Sequence, residues 1–257
     1  MHGPWTIPAG QPMIARITGL ALILFMTTSA LAAESLNVAV AAAFKRPFTE
    51  IARRFEAGSP IRVEATFAST GTLYSQIVNG ALYDVFLAAD DKRPQDLHEK
   101  GLAGPPAVYA RGRVVLWTTR EELCRAGDWK SALRHAGVRK IAIVSSATSP
   151  YGGAAESALR NGGLWDAVKP RFVYAQDVTQ AFQYVYAGAA AAGFCALSDA
   201  ISVVGGEGCR FDVQEAPPVE HSACVLKRSK NGEAARLFMR FLQAPEAEEI
   251  KRSYGYR

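Results

Sequence analysis

The 257-residue chain is 49% hydrophobic and 21% charged, with a formal net charge of +5; that composition excludes a disordered or collagen-like chain. Its length suffices to bury one large core or two smaller ones. The basic excess is mild and no basic run carries interleaved aromatics, so nucleic acid is not an expected partner.

The first 32 residues hold no acidic side chain and a single base, Arg16, followed by the apolar run ITGLALILFMTTSALAA with Ala30 and Ala32 in an A-x-A pattern. This predicts a secretory signal peptide over residues 1–32, cut before Ala33. The run is short for a membrane anchor and ends in small residues. Arg16 sits close to Met13, which makes Met13 an alternative start to Met1. Removal of the segment takes the formal charge to +4, since only Arg16 is lost. The expected destination is the periplasm, and no cysteine follows the apolar run to accept a lipid.

In the remaining chain, LNVAVAAAF is too apolar to alternate and reads as a strand buried on both faces. Phe48, Ile51, Ala52 and Phe55 then recur at helical spacing, with Pro47 in the first turn and Gly58 near the end. IRVEATFA alternates as a strand, TLYSQI continues as a helix that ends at Asn79-Gly80, and DVFLAAD is another buried strand. Farther on, RVVLW and KIAIVSS read as strands with a helical segment near WKSALRHAG between them. GGAAESALRNGG is a short helix, DVTQAFQYVYAG a helix capped by Asp177, AAGFCAL and ACVLK strands, and Ala234, Leu237, Phe238, Phe241 and Leu242 mark a C-terminal helix. Strand and helix alternate throughout, which predicts an α/β fold.

The stretch TFASTGTLYSQI places Ser69, Thr70, Gly71 and Thr72 where a strand hands over to a helix. First-turn amides lack intrahelical acceptors and carry the positive end of the helix dipole, so such a turn attracts anions. An ordinary helix cap accounts for the hydroxyls equally well. Similar entrances follow at AAAFKRP, SSATSPYGG and AQDVTQ. In an open α/β sheet these entrances gather on one edge, where ligands bind.

Catalytic readings find little support. The three histidines beyond the signal segment, His98, His135 and His221, fall in polar, helix-end or loop-like contexts. No nucleophile elbow, HExxH, Walker loop or GxGxxG is present. A hydrolase built on Ser69 or Ser198 would lack a visible base, so the chain is not expected to be an enzyme. VVGGEGC reads as a turn, Asp90-Asp91 as strand end and helix cap, and Lys92, Arg93, Arg111 and Arg113 as solvated charge. Cys124, Cys195, Cys209 and Cys224 fit no zinc spacing. Cys209 and Cys224 flank one segment and are candidates for a disulfide, whereas Cys195 in GFCAL reads as a buried hydrophobe.

Taken in order, VAAAF, FASTGTLYSQI, DVFLAADDKRP, SPYGGAAESAL, AQDVTQAF, GFCALSDA and KRSYGY resemble the periplasmic molybdate-binding proteins of ABC transporters over essentially all of residues 35–257. The resemblance implies a two-lobed periplasmic binding protein of type II, each lobe a mixed sheet flanked by helices, with the ligand in the interlobe cleft. It implies lobes of residues 33–114 plus 225–257 and 115–224, with crossings near VVLW and ACVLK. It further implies an oxyanion, molybdate or tungstate, held through its oxygens with no cofactor and no directly coordinated metal. Delivery to a membrane permease by a monomer completes the expectation. The hydroxyl and amide of Thr70, with Ser69 beside it, and the amides of Tyr151, Val178 and Ala43 match the family's donors. Ala43 and Ala196 stand where many relatives carry a serine and a tyrosine, which leaves Tyr151, Lys45 or a water as replacements and keeps sulfate open as an alternative ligand.

Overall fold

The computed structural model describes residues 35–202 and 208–257. The expected signal peptide and most of the glycine-rich turn at VVGGEGC lie outside the described residues. The chain first lays down β1 (Ser35–Ala41), α1 (Lys45–Ala57), β2 (Arg62–Ala68), α2 (Thr70–Val78), β3 (Val85–Leu87), α3 (Lys92–Glu99) and β4 (Ala107–Gly112). It continues with β5 (Val114–Thr118), α4 (Glu121–Cys124), α5 (Trp129–Arg134), β6 (Ile141–Val144), α6 (Pro150–Asn161) and α7 (Trp165–Val168). Next come β7 (Phe172–Ala175), α8 (Val178–Tyr186), β8 (Ala192–Ala196), α9 (Leu197–Ile201) and β9 (Cys209–Asp212). It closes with β10 (Val219–Val225), α10 (Gly232–Phe241) and α11 (Pro245–Ser253).

The strands form two five-stranded mixed sheets, in the orders β2-β1-β3-β10-β4 and β7-β6-β8-β5-β9. β1 pairs parallel to β2 and β3, while β10 runs antiparallel to β3 and β4. Position explains sequence texture: β3, β5, β6 and β8 are buried along their whole length, whereas edge strand β2 alternates exposed and half-buried residues. On the first sheet, α1 buries Phe48, Ile51, Ala52 and Phe55, and Phe55 meets Phe238 of α10 edge-on with ring centroids 5.2 Å apart. On the second, α8 presses so closely on β8 that a Cβ at Gly193 would lie 2.7 Å from Val185; only glycine fits.

The crossings depart from the expected boundaries. The chain leaves the first sheet at Arg113, since Val114 already pairs with Ala196 in β5. It returns between β9 and β10, because Val219 pairs with Gly112 and the whole of β10 belongs to the first sheet. The expected return near ACVLK falls instead at the end of that strand, whose buried apolar tail masks where pairing starts.

The disulfide is also different from the expected Cys209–Cys224 pair. Cys124 of α4 bonds Cys209 of edge strand β9, with Cα atoms 5.7 Å apart, and Cys195 and Cys224 are buried free thiols. Cys224 pairs with Phe86 in the first sheet while Cys209 lies in the second, so closeness in sequence is not closeness in space. Burial pushes the Cys224 thiol up to about 12.

Candidate functional site

Two pairs of neighbouring strand ends build the junction between the sheets. Ala41 and Ala68 are register partners at the ends of β1 and β2. They deliver the 3-10 turn Ala42–Phe44 and the Ser69-Thr70 entrance of α2. In the second sheet Val144 and Ala175 are partners at the ends of β6 and β7, which lead to α6 and α8.

Three helix entrances, two of them capped by a side chain, leave a consistent set of donors. Ser69 caps α2, its hydroxyl accepting from the Thr72 amide at 3.3 Å and sharing a 2.7 Å hydrogen bond with the Thr72 hydroxyl. α2 thus begins at Thr70, two residues before the start that the apolar spacing suggests. Asp177 caps α8 by accepting from the Gln180 amide at 2.9 Å. α6 opens with Ser149 and Pro150, and the Ser149 side chain makes no capping bond. Thr70, Tyr151 and Val178 occupy the first two positions of their helices, where amides have no intrahelical acceptor. Their dipoles add positive potential at the same ends.

Cross-half hydrogen bonds and shared burial link the elements that carry Ala43, Ser69, Thr70, Tyr151 and Val178. Ala43, Tyr151 and Val178 belong to one packed cluster that also holds Ala41, Ala89 and Ala196. Thr70 is attached through its Oγ1, which accepts from the Ala89 amide at 3.1 Å. All five are buried, none more than 5% exposed. The Thr70 hydroxyl has its oxygen engaged and its own proton left to donate, while Ser69 is committed to capping.

Contacts between the halves surround this cluster. The Gly71 amide donates to the Thr148 carbonyl at 2.8 Å, and Arg93 Nη2 donates to the Ala147 carbonyl at 2.9 Å. Arg93 is therefore no merely solvated charge; it also pairs with Asp90. Thr179 Oγ1 donates to the Ala42 carbonyl at 3.2 Å. The Ala43 carbonyl accepts from Ser198 Oγ at 2.9 Å and from the Tyr256 hydroxyl at 2.6 Å. Ser198, one of the two candidate nucleophiles, thus spends its proton on the main chain.

Two buried titratable groups flank the cluster. Asp199 is 1% exposed, and burial raises its carboxyl to about 6 against the opposing pull of Arg46. Arg46 Nε lies 3.3 Å from Asp199 Oδ1, and Thr179 Oγ1 donates to Oδ2. The pair leaves little net negative charge beside the helix ends. His221 is fully buried in β10 rather than in a loop, and desolvation lowers it to about 3, so its imidazole is neutral. The isolated letters EHSA carry no sign of that burial.

The expected replacement donors lie elsewhere. Tyr151's hydroxyl is bound to His221 Nε2 at 3.1 Å. Lys45 is exposed, its Nζ 5.4 Å from the centre of the Phe67 ring.

Residues 36–257 match the family of bacterial extracellular solute-binding proteins. The chain is 36% identical over 229 residues to the molybdate-binding protein ModA of Azotobacter vinelandii, covering 87% of this chain and 90% of that one. It is 34% identical to ModA of Rhodobacter capsulatus, covering 98% and 97% of the respective chains. In three dimensions it is similar to the A. vinelandii periplasmic molybdate-binding protein, with a TM-score of 0.81 and 32% identity over 86% of this chain and 98% of that one. The fold, the order of the helix entrances and these likenesses agree: the chain belongs to the family of bacterial extracellular solute-binding proteins.

Proposed function

We propose that this protein binds molybdate, and tungstate with it, in the periplasm and delivers it to the permease of an ABC importer. The observation that supports it is a set of three helix entrances, linked by the Gly71–Thr148 and Thr179–Ala42 hydrogen bonds to neighbouring elements, whose first-turn amides at Thr70, Tyr151 and Val178 have no intrahelical acceptor. Such a set suits a tetrahedral dianion: neutral amides and a hydroxyl replace its water, and the dipoles offset its charge. The relatives' names supply the ligand. Molybdate and tungstate are nearly equal in size and charge, so a donor set made largely of main-chain amides accepts both, and selection against the smaller sulfate would rest on the spacing of those donors.

Thr70 donates through its hydroxyl and amide, and Ala43, Tyr151 and Val178 through their amides; Ser69 fixes the α2 entrance. The protein acts as an exported monomer and breaks no bond. Closing the halves around the ion shuts out water, and the closed form is what the permease receives.

Calorimetric titration with sodium molybdate, sodium tungstate and sodium sulfate tests the reading. Heat of binding with the first two and not the third is the expected result. Equal affinity for sulfate would overturn the size argument, and no heat with any of the three would overturn the oxyanion reading.

A further inference from the structure

Behind the cluster runs a set of buried polar contacts that ordinary packing does not require. Tyr151 starts in α6, on the second sheet's side, but its hydroxyl ends deep in the first half. A Cβ at Gly112 would lie 2.1 Å from that oxygen, so the glycine holds the slot open. There the hydroxyl meets His221 Nε2 at 3.1 Å, and His221 Nδ1 lies 3.2 Å from the hydroxyl of Tyr109. Tyr109 in turn donates to the Ala88 carbonyl at 3.3 Å. The amide on the other side of that peptide group, Ala89 N–H, donates to Thr70 Oγ1 at 3.1 Å.

The directions of these bonds follow from donor counting. Tyr109 gives its proton to Ala88, so its oxygen accepts from His221 Nδ1–H. That tautomer leaves a lone pair on Nε2, which accepts from Tyr151. His221 is held neutral by burial, as a one-donor, one-acceptor relay demands. Tyr109, Tyr151 and His221 are each less than 5% exposed, so no competing solvent interrupts the run.

We propose that Tyr151, His221 and Tyr109 form a head-to-tail hydrogen-bond chain that ends on the Ala88–Ala89 peptide and orients the Thr70 hydroxyl toward the bound oxyanion. The inference rests on the oxyanion reading above and adds residues that touch no ligand. Each link polarises the next, and with its oxygen occupied Thr70 points its proton at the anion. Tyr151 acts at both ends of the site: its amide faces the ligand directly, and its ring reports closure of the halves to Thr70. His221 and Tyr109 are positioning residues.

A thermodynamic cycle on the full mature protein tests the chain with sodium molybdate as the probe. Tyr109→Phe cuts it in the middle while keeping the ring, and affinity is expected to fall about two- to tenfold, the worth of one ordinary hydrogen bond. In a Thr70→Ala background the same substitution is expected to change nothing, because the chain then has no hydroxyl to orient. Tyr151→Phe repeats the cycle from the other half, should Tyr109→Phe fold poorly. Wild-type affinity in both Phe variants, or losses that multiply with that of Thr70→Ala, would overturn the chain while leaving oxyanion binding intact. Absence of molybdate binding by the wild type would overturn both readings, and the wild-type arm alone would show it.

Discussion

Gly71 and Thr148, on opposite halves, are joined main chain to main chain: the Gly71 amide reaches the Thr148 carbonyl at 2.8 Å. The contact ties the entrance of α2 to the loop that precedes α6. Its closeness depends on the missing side chain, since a Cβ at Gly71 would lie 2.9 Å from the Thr148 oxygen and 3.0 Å from its Cα.

Gly71→Ala should therefore separate stability from binding. Alanine favours the helix by up to about 1 kcal/mol, so ligand-free unfolding should hold steady or shift upward. Closure forces the loop away, at roughly 1–3 kcal/mol for an overpacked contact, and molybdate affinity should drop on the order of tenfold or more. Denaturant unfolding and calorimetry on the same sample give both numbers. Undiminished affinity would show that the contact is incidental to binding.

Thr70 is the position where a side chain and not only an amide is predicted to act. Thr70→Ala removes a hydrogen bond to a charged group, worth about 1.5–3 kcal/mol, so affinity should fall about ten- to a hundredfold. It also strands the buried Ala89 amide. Thr70→Ser, which keeps the hydroxyl, should stay within a few fold of wild type. A serine variant as weak as the alanine one would contradict a hydroxyl donor.

Asp199 and His221 give opposite pH dependences. Asp199 is raised from 3.8 to about 6, so the folded state binds its proton first; the resulting stability grows as pH falls below 6 and is lost as pH rises through it. His221 is lowered from 6.5 to about 3, so the unfolded state takes that proton first, and stability is lost as pH falls from 6.5. Between pH 7 and 5 the histidine should cost about 2 kcal/mol and the aspartate return about 1 kcal/mol, as orders of magnitude. Asp199→Asn should leave the histidine loss uncompensated and make acid destabilisation steeper than in the wild type. Urea unfolding at the two pH values reads the difference; identical slopes in the two proteins would refute the balance.

The Cys124–Cys209 bridge closes a loop with a sequence separation of 85 and anchors edge strand β9. Replacing both cysteines by serine should cost about 2–5 kcal/mol of stability and leave molybdate affinity unchanged. Thiol titration of the native protein should detect neither Cys195 nor Cys224, which are buried, and both should react in denaturant. A fast-reacting native thiol would argue against this pairing.

Much of the architecture was legible because buried parallel strands and capped helices write themselves locally. The runs around Val38, Phe86 and Ile143 mark strands, Phe48 to Phe55 mark α1, and Asp177 marks the cap of α8. The short edge strands were not legible: β7 is only four residues long and mostly half-exposed or exposed, and β9 mixes half-exposed Cys209 and Phe211 with exposed Arg210 and Asp212. α11 is rich in charge and follows α10 closely, so its apolar positions Ala247 and Ile250 do not stand out. At the site, Thr70, Tyr151 and Val178 could be found because a helix entrance has a sequence signature. His221, Tyr109 and Asp199 could not: His221 meets Tyr109 across 112 residues and Tyr151 across 70, Asp199 meets Arg46 across 153, and no local pattern records such meetings. The disulfide was missed for the same reason.

The Ala43 carbonyl is held by the hydroxyl of Tyr256, 213 residues later in the chain. Ala43 lies just after the first strand, yet one of the two hydroxyls that hold its carbonyl comes from beyond the last strand of either sheet. The surroundings of Ala43 and Thr70 are therefore completed from far along the chain: residues 35–112 supply both, whereas Tyr151 and Tyr256 follow only later.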